Sequence, residues 1–413
     1  MSRKPARPAR AVKKDTQTDV LIIGGGMVGL ALACALKGSA LHVTVIERAE
    51  SEPFYSLGRD CRVSAIVAGN VEILSGLGVW QHLEAEAGPM RAMRIWDAQH
   101  AGSIRFEAEE IGLDALGHLV ENSQLQSAQL EVLHDAENVR LLCPAQVADV
   151  QWSSDQATVT LEGGQSISSP LIVGADGGRS WLRDKAGIGL CVKRPYRQKG
   201  IVATVRSQAP HRGMAFQRFL PTGPLAFLPM SGDLCSIVWS ADDKEAGRLM
   251  ALDDADFVVA LNLAFGPVLG RIEEAGERAA FPLQGQLAAH VVRERLALIG
   301  DAAHTVHPLA GLGVNLGLRD AMVLAQELVD ARRYGEDIGG MPVLSRYAKL
   351  RLPDVLSVMA TMEGFHQLFT HDLPLLPQLR DLGMRLVSNS GIFKQLLMRN
   401  STGISLPVPK QIS

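Results

Sequence analysis

The 413-residue chain contains no run of about 18 consecutive apolar residues, so no segment is expected to cross a bilayer as a helix. Its cysteines, Cys34, Cys61, Cys143, Cys191 and Cys235, are scattered, odd in number and without a C-x-x-C pair. That spacing argues against a disulfide framework or a zinc site and suits a reducing compartment. An H-E-x-x-H helix and a nucleophile–base–acid triad are also missing, and no metal is expected. Aromatic residues are sparse at 5%, while glycine is abundant at 40 residues, as expected of many tight turns between strands and helices.

Charge is unevenly placed. Arg3, Lys4, Arg7, Arg10, Lys13 and Lys14 face no acid within residues 1–14, and the whole chain carries −3, which leaves −9 on the rest. An acidic body with one short basic arm argues against a nucleic-acid groove, which requires basic residues clustered on a folded face. The arm runs into Asp15-Thr16-Gln17-Thr18-Asp19 where a secretory signal would need its apolar core. It reads as a solvated, disordered tail, or as a weak electrostatic anchor to anionic lipid.

Asp19–Ile23 is a short apolar run ending in Gly24-Gly25-Gly26-Met27-Val28-Gly29, followed by helix-forming residues to Leu36 and a second β-rich run, Leu41–Glu47. Strand, glycine turn, helix and strand form a βαβ unit. Gly24-x-Gly26-x-x-Gly29 alone is weak evidence. With Glu47 18 residues after Gly29, at the end of the next strand, it describes an adenine-dinucleotide site. The glycines allow the turn and the approach of a pyrophosphate, and the helix N-terminus favours its charge. Glu47 can accept both ribose hydroxyls, which disfavours a 2′-phosphate.

Further along, His118–His134 reads as a helix entered through Asn122 and Ser123. Ala145–Val150, Ala157–Leu161 and Ser166–Ser168 read as hairpins with Gly163-Gly164 at a turn. Ile201–Val205, Ala215–Leu220, Leu225–Met230 and Leu234–Ser240 suggest an inserted, mostly antiparallel sheet. A long helix is expected from Leu316, then a helical region over 342–400 broken at Pro353, Pro374 and Pro377. Two more buried strands end in acid-bearing turns, Gly174-Ala175-Asp176-Gly177-Gly178 and Gly300-Asp301-Ala302-Ala303-His304. Acids in such turns can accept from a ribityl chain, which FAD has and NAD lacks.

The three segments, in this order and spacing, resemble the flavoprotein aromatic hydroxylases, FAD monooxygenases built like p-hydroxybenzoate hydroxylase, over about residues 18–350. Within that group the chain is similar to the ubiquinone-biosynthesis FAD-dependent hydroxylase family. Gly300–Asp320, GDAAHTVHPLAGLGVNLGLRD, carries the likeness, with Asp60–Ile66 (DCRVSAI), Gly76–Trp80 (GLGVW), His118–Leu125 (HLVENSQL) and the strand pair around Leu220–Trp239. One departure stands beside the expected flavin loop, Leu312 in place of the family's usual Gln.

The resemblance implies an α/β fold: a Rossmann-like FAD-binding lobe, an inserted, mostly antiparallel β-sheet substrate lobe and a helical C-terminus. The expected division gives 1–17 to the arm and 18–75, 110–188 and 286–345 to FAD binding. Residues 76–109 and 189–285 form the substrate lobe, and 346–413 the helical region. For the cofactor it implies Gly24, Gly26, Met27 and Gly29 at the pyrophosphate, Glu47 at the adenosine ribose, and Arg48 and Arg62 near ribose and pyrophosphate. Val147 would meet adenine through its backbone. Arg62 has the alternative of a plain surface cation, and Asn122, expected beside the ribityl chain, that of capping its own helix. Asp301 would accept from the ribityl or pyrophosphate region. Asp176 would shape its turn and face flavin or nicotinamide dinucleotide. Backbone N–H groups of Gly313, Val314 and Asn315 would reach the flavin ring, with Pro308 near C4a and His307 near substrate or peroxide. His304 is expected to serve structurally at a helix start.

The implied activity is hydroxylation of a polyprenylated phenol or benzoquinol ring through a flavin C4a-hydroperoxide. NAD(P)H would bind transiently, since no second glycine motif follows a strand. Leu225–Met230 and Phe216–Leu220 are the candidate pocket walls. Expected partners are the lipophilic substrate and O₂, without nucleic acid; contact with the membrane periphery or a quinone-biosynthesis complex, and self-association, are open. The expected location is the cytoplasm, peripheral at the inner face of the membrane. Two alternatives stand beside this reading: a hydroxylase of a soluble aromatic acid, for which Arg218 is the one cation on a candidate pocket strand, and a low-turnover flavoprotein component of a biosynthetic complex.

Overall fold

The computed structural model describes residues 16–50, 55–98, 102–306, 313–370 and 391–403. At its centre lies a sheet built from β1 (Val20–Ile23), β2 (Val43–Ile46), β3 (Val139–Leu142), β4 (Leu171–Gly174) and β5 (Leu296–Leu298). The spatial order is β3-β2-β1-β4-β5, all parallel, with Val292–Arg293 added antiparallel at one edge. β1, β2 and β4 read VLII, VTVI and LIVG and are buried along their whole length. Continuous apolar runs of this kind suit parallel strands covered on both faces.

One face is covered by α1 (Met27–Leu36), α2 (Gly313–Tyr334) and α3 (Met341–Thr370). Leu32, Leu36, Leu318, Leu324, Leu344 and Tyr347 interlock there with Val20, Val45 and Val173. Each fully buried leucine contributes about 1.5–3 kcal/mol. The other face packs on a small sheet of Val147–Trp152, Ala157–Leu161, Ser166–Ser169 and Thr16–Gln17. The hairpins expected over 145–168 are present, with Gly164 at a positive φ of 78° in their turn.

Residues 190–288 form most of a second sheet whose strands are antiparallel apart from one parallel pair, Met214–Leu220 with Ala92–Asp97. Its two faces are distinct. Leu225, Phe227, Ile237 and Trp239 pack outward on the helices Asp243–Ala251 and Asp254–Phe265. Val202, Ala226, Leu228 and Val238 pack inward on Cys61, Ala65 and Leu119 of the first lobe. Val79, Trp80, Leu83 and Ala87 join the core beneath the parallel sheet.

Three expectations about elements are corrected. His118–Glu121 belongs to the strand Gly117–Glu121, paired on both sides, and the helix begins only at Asn122. Pairing with Val63–Val67 and Gly88–Met90 there outweighs the local helical pattern. α2 starts at Gly313 rather than Leu316. Pro353 does not break α3, which continues to Thr370; Tyr347, Arg351 and Val355, buried to either side of it, hold the helix in place. Pro374 and Pro377 lie outside the described residues. Among those residues no helix is long and apolar enough to cross a membrane.

Candidate FAD site

The strand order reverses between β1 and β4, the switch point where open α/β sheets bind ligands. Three glycine turns converge on the strand ends there. Gly24 has φ 109°, and a Cβ on it would lie 2.3 Å from the Ala175 carbonyl oxygen, so the first and second turns touch through backbone alone. Gly29 lies as tightly against Gly24, whereas a Cβ on Gly26 would meet nothing within 4 Å. That open cradle faces the N-terminus of α1, which has no side-chain cap, so its first N–H groups are available to an anion.

Glu47, at the end of β2, accepts from the Gly25 N–H at 2.6 Å and the Ala49 N–H at 3.2 Å, one to each carboxylate oxygen. Each oxygen keeps a lone pair for a hydroxyl. Arg48 is exposed beside it. A cavity of about 1070 Å³ starts at Gly25 and Glu47 and passes Ser123 and Cys143 toward Arg59 and Glu86.

Asp60 is fully buried and accepts from the Arg62 backbone N–H at 3.0 Å and side-chain Nε at 3.4 Å, and from the Ser123 N–H at 3.3 Å. The Arg62 side chain is 42% exposed while tethered to Asp60. Asn122 is the first residue of its helix, after Glu121 at the cap position, and its Oδ1 accepts from Ser64 Oγ at 2.7 Å. Val147 opens the strand Val147–Trp152, just before a register shift.

The two acid-bearing turns differ. Asp176 Oδ2 accepts from the Leu182 N–H at 3.0 Å, while its Oδ1 is buried without a hydrogen-bond partner among the described residues. Asp301 is exposed although dense protein surrounds it. Those surroundings push its carboxyl above the usual carboxylate range, and His304 opposes the rise.

Gly313, Val314 and Asn315 form the first turn of α2, where helix N–H groups lack intrahelical partners. The Asn315 side chain is used by the protein itself: it accepts from the Val67 N–H at 3.0 Å and Asn70 Nδ2 at 2.9 Å, and donates to the Ala65 carbonyl at 2.7 Å. His307, Pro308 and Leu312 lie outside the described residues.

His304 is structural but not at a helix start. It stands in the two-residue strand His304–Thr305, buried, with Nε2 2.6 Å from Asp320 Oδ2. The same oxygen accepts from the Gly300 N–H at 2.9 Å, and Asp320 Oδ1 accepts from Arg351 Nε at 2.7 Å. Burial alone would lower the His304 pKa, but Asp320 outweighs it and holds the imidazolium above its ordinary value. Burial likewise opposes charge on Asp320, and His304 with Arg351 overcome it and hold the carboxyl low.

Arg183, also buried, donates to the Gly178 carbonyl at 3.2 Å and the Ala302 carbonyl at 3.1 Å, tying the second and third turns together. Sequence reading missed Asp320, Arg351 and Arg183. The available signal was a charge on an otherwise apolar helical stripe: Asp320 among Leu316, Gly317, Ala321 and Leu324, and Arg351 between Tyr347 and Val355.

The donor set fits FAD. An uncapped helix start above an open glycine cradle suits a pyrophosphate, the two oxygens of Glu47 suit a pair of ribose hydroxyls, and the acid-bearing turns suit further hydroxyl donors. The profile of the FAD binding domain family matches residues 17–355. The ubiquinone hydroxylase UbiL of Rhodospirillum rubrum is 40% identical over 390 residues, 94% of this chain and 90% of that protein. The 3-demethoxyubiquinol 3-hydroxylase of Escherichia coli is 37% identical, covering 94% of this chain and 99% of its own. The human mitochondrial ubiquinone biosynthesis monooxygenase COQ6 is 34% identical, covering 93% and 92%. Among solved structures, p-nitrophenol 4-monooxygenase PnpA of Pseudomonas putida superposes with a TM-score of 0.77 at 18% identity, over 94% of this chain and 99% of that one, which speaks to the fold alone. The chain belongs to the FAD binding domain family and, within it, to the hydroxylases and monooxygenases of ubiquinone biosynthesis.

Proposed function

We propose that this chain is an FAD-dependent aromatic-ring monooxygenase that hydroxylates a polyprenylated phenol or benzoquinol in ubiquinone biosynthesis, with NAD(P)H as transient donor and O₂ as co-substrate. The observation that carries the substrate reading is a pair of uncharged rows in the middle of the second sheet's inner face. Val202, Val238, Ala226 and Gln217 share one row across four strands, and Thr204, Ser236 and Leu228 the next. No lysine or arginine stands in either row.

Arg218 lies on the opposite face, in register with Leu225, and donates to the Ala264 carbonyl at 2.8 Å behind the sheet. A soluble aromatic acid therefore loses its one candidate counter-ion. Of the candidate walls, Phe216, Leu225 and Phe227 pack outward, and the alternate residues, among them Gln217, Ala226, Leu228 and Met230, are turned inward.

FAD bound here would carry the two reducing equivalents of NAD(P)H to O₂ and supply the activation of O₂. In this reading Gly24, Gly26, Met27 and Gly29 hold the pyrophosphate, and Glu47, Arg48 and Arg62 surround the adenosine ribose. Val147 borders adenine and Asn122 the ribityl region. Asp301 and Asp176 accept from hydroxyls of the bound dinucleotides. The N–H groups of Gly313–Asn315 direct partial positive charge at the ring. The apolar packing of Val202, Leu228 and Val238 on Ala65 and Leu119 keeps water from the space between the lobes. We assign the parallel-sheet lobe to FAD and the second sheet to substrate. The basic arm is given to a peripheral membrane surface or a partner protein.

The test is anaerobic reduction of the purified protein by NAD(P)H, followed by oxygen and a polyprenyl phenol. Hydroxylated ring product is expected. Flavin reduction without product would instead leave a flavoprotein component of low turnover, and an unchanged quinone-intermediate profile in a deletion strain would overturn the ubiquinone reading while leaving the FAD assignment standing. Removing residues 2–14 is expected to reduce liposome association at constant flavin content.

A further inference from the structure

Asp320 and Arg351 are charged groups on the buried stripes of two helices, and both are buried. Buried pairs of this kind add little stability over apolar residues of the same volume. Apolar residues at 320 and 351 would fill the space yet leave the Gly300 N–H and the His304 ring without an acceptor. Those two donors bracket Asp301, Ala302 and Ala303, so one carboxylate oxygen of Asp320 fixes both ends of the third turn at 2.9 and 2.6 Å. Gly300 sits at φ 58°, a conformation with no preference of its own to restore the turn once released.

Arg351 holds the other Asp320 oxygen and is oriented by Asp354 Oδ2 at 2.7 Å. Tyr347, one turn earlier on α3, donates to the Leu298 carbonyl at 2.9 Å, the last residue of β5 before the turn. α3 therefore grips β5 and, through Asp320, the turn that follows it. Asp320 itself rides on α2, whose first turn is Gly313–Asn315. One carboxylate thus sets the position of Asp301 relative to the start of α2.

We propose that Asp320, oriented by Arg351, is a positioning residue for FAD, aligning the Asp301 turn with the N-terminus of α2; this rests on the reading that the cleft between them holds the flavin. Its test is a titration of folded, flavin-free protein with FAD, followed by fluorescence quenching and by the reduction potential of the bound flavin. Asp320→Asn is expected to raise the FAD Kd roughly tenfold or more, the scale of one lost charge-assisted hydrogen bond, and to shift the potential. Asp337→Asn breaks the Arg295–Asp337 pair at 2.6 Å, away from the turn, and is expected to leave the Kd unchanged.

Should Asp320→Asn fail to fold, Arg351→Lys and Arg351→Met decide. The lysine variant is expected to retain FAD better than methionine and less well than the parent. Variants that fold and bind FAD within twofold of the parent, with the same potential, overturn the proposal and leave the FAD assignment standing. A parent protein that binds no FAD overturns both.

Discussion

The turns after β4 and β5 occupy equivalent places at the ends of neighbouring parallel strands, and each carries an aspartate, but the two acids are employed differently. Asp176 spends one oxygen on the Leu182 N–H and so shapes its own turn, keeping a single buried oxygen in reserve. The Asp301 carboxyl makes no hydrogen bond among the described residues: its turn is held from behind by Asp320 through the Gly300 N–H and His304, and the carboxyl is left exposed. A turn that must present a whole carboxylate to a ligand needs a second acid to do the shaping. Here that acid lies 19 residues further on, inside a helix.

Breaking the two turns in turn separates these roles, and the largest effect falls on the hidden acid. Asp320→Ala strands His304 and Arg351 in the interior and is expected to cost about 3–5 kcal/mol. Asp176→Ala removes one acceptor at the start of a short helix and is expected to cost about 1 kcal/mol, as loss of a helix cap does. Chemical denaturation of the flavin-free proteins checks the pair. Equal losses would mean that both turns are shaped from within.

The second break is expected in ligand binding rather than in folding. Asp301→Asn keeps the size of the side chain and removes a charge that its surroundings oppose. Stability should therefore stay within about 0.5 kcal/mol of the parent, as for most substitutions outside packed contacts. FAD affinity should fall roughly tenfold through loss of a charged acceptor. In Asp176→Asn the amide oxygen still accepts from Leu182, and the fall should be smaller. Isothermal titration on the flavin-free proteins compares them, and a larger loss at Asp176 would reverse the assignment.

The contrast between the turns also marks what could be read from sequence. Gly24, Gly26, Gly29 and Glu47 are legible because their chemistry is local: turn, helix start and strand end follow one another within 24 residues. The parallel strands are legible because burial on both faces leaves unbroken apolar runs. Asp320 and Arg351 are 31 residues apart on different helices, and only the packing of α2 on α3 makes them partners. The side of the sheet taken by Arg218 escaped for another reason. Met214–Leu220 is apolar on both faces, so its alternation does not say which face meets the first lobe. His118–Glu121 could be placed only with the strands on either side of it.

The smallest expected effect is in pH dependence, and its sign follows from His304. The folded state holds the imidazolium above its ordinary value of 6.5, so the stability it confers is complete below that pH and is lost as pH rises through the raised value. Asp320 behaves in the opposite sense: its folded pKa lies below 3.8, so its contribution is present above that pH and is lost only in acid. The charged and titratable groups facing the pair are Arg351, Asp301 and Tyr347. Arg351 keeps its charge throughout. Asp301 has a raised pKa, so its cost to stability grows from 3.8 upward. Tyr347 is held protonated by burial, with its own loss starting only above 10. Thermal unfolding of the flavin-free protein should therefore show Tm falling on the alkaline side of 6.5, by less than the whole cost of Asp320→Ala. In Asp320→Asn that limb should vanish, because the imidazole then gains no proton on folding. In Asp176→Asn it should persist unchanged, since Asp176 is not among the groups that set the His304 charge. A limb that survives Asp320→Asn would place its origin elsewhere and dissolve the distinction between a turn held from behind and a turn that holds itself.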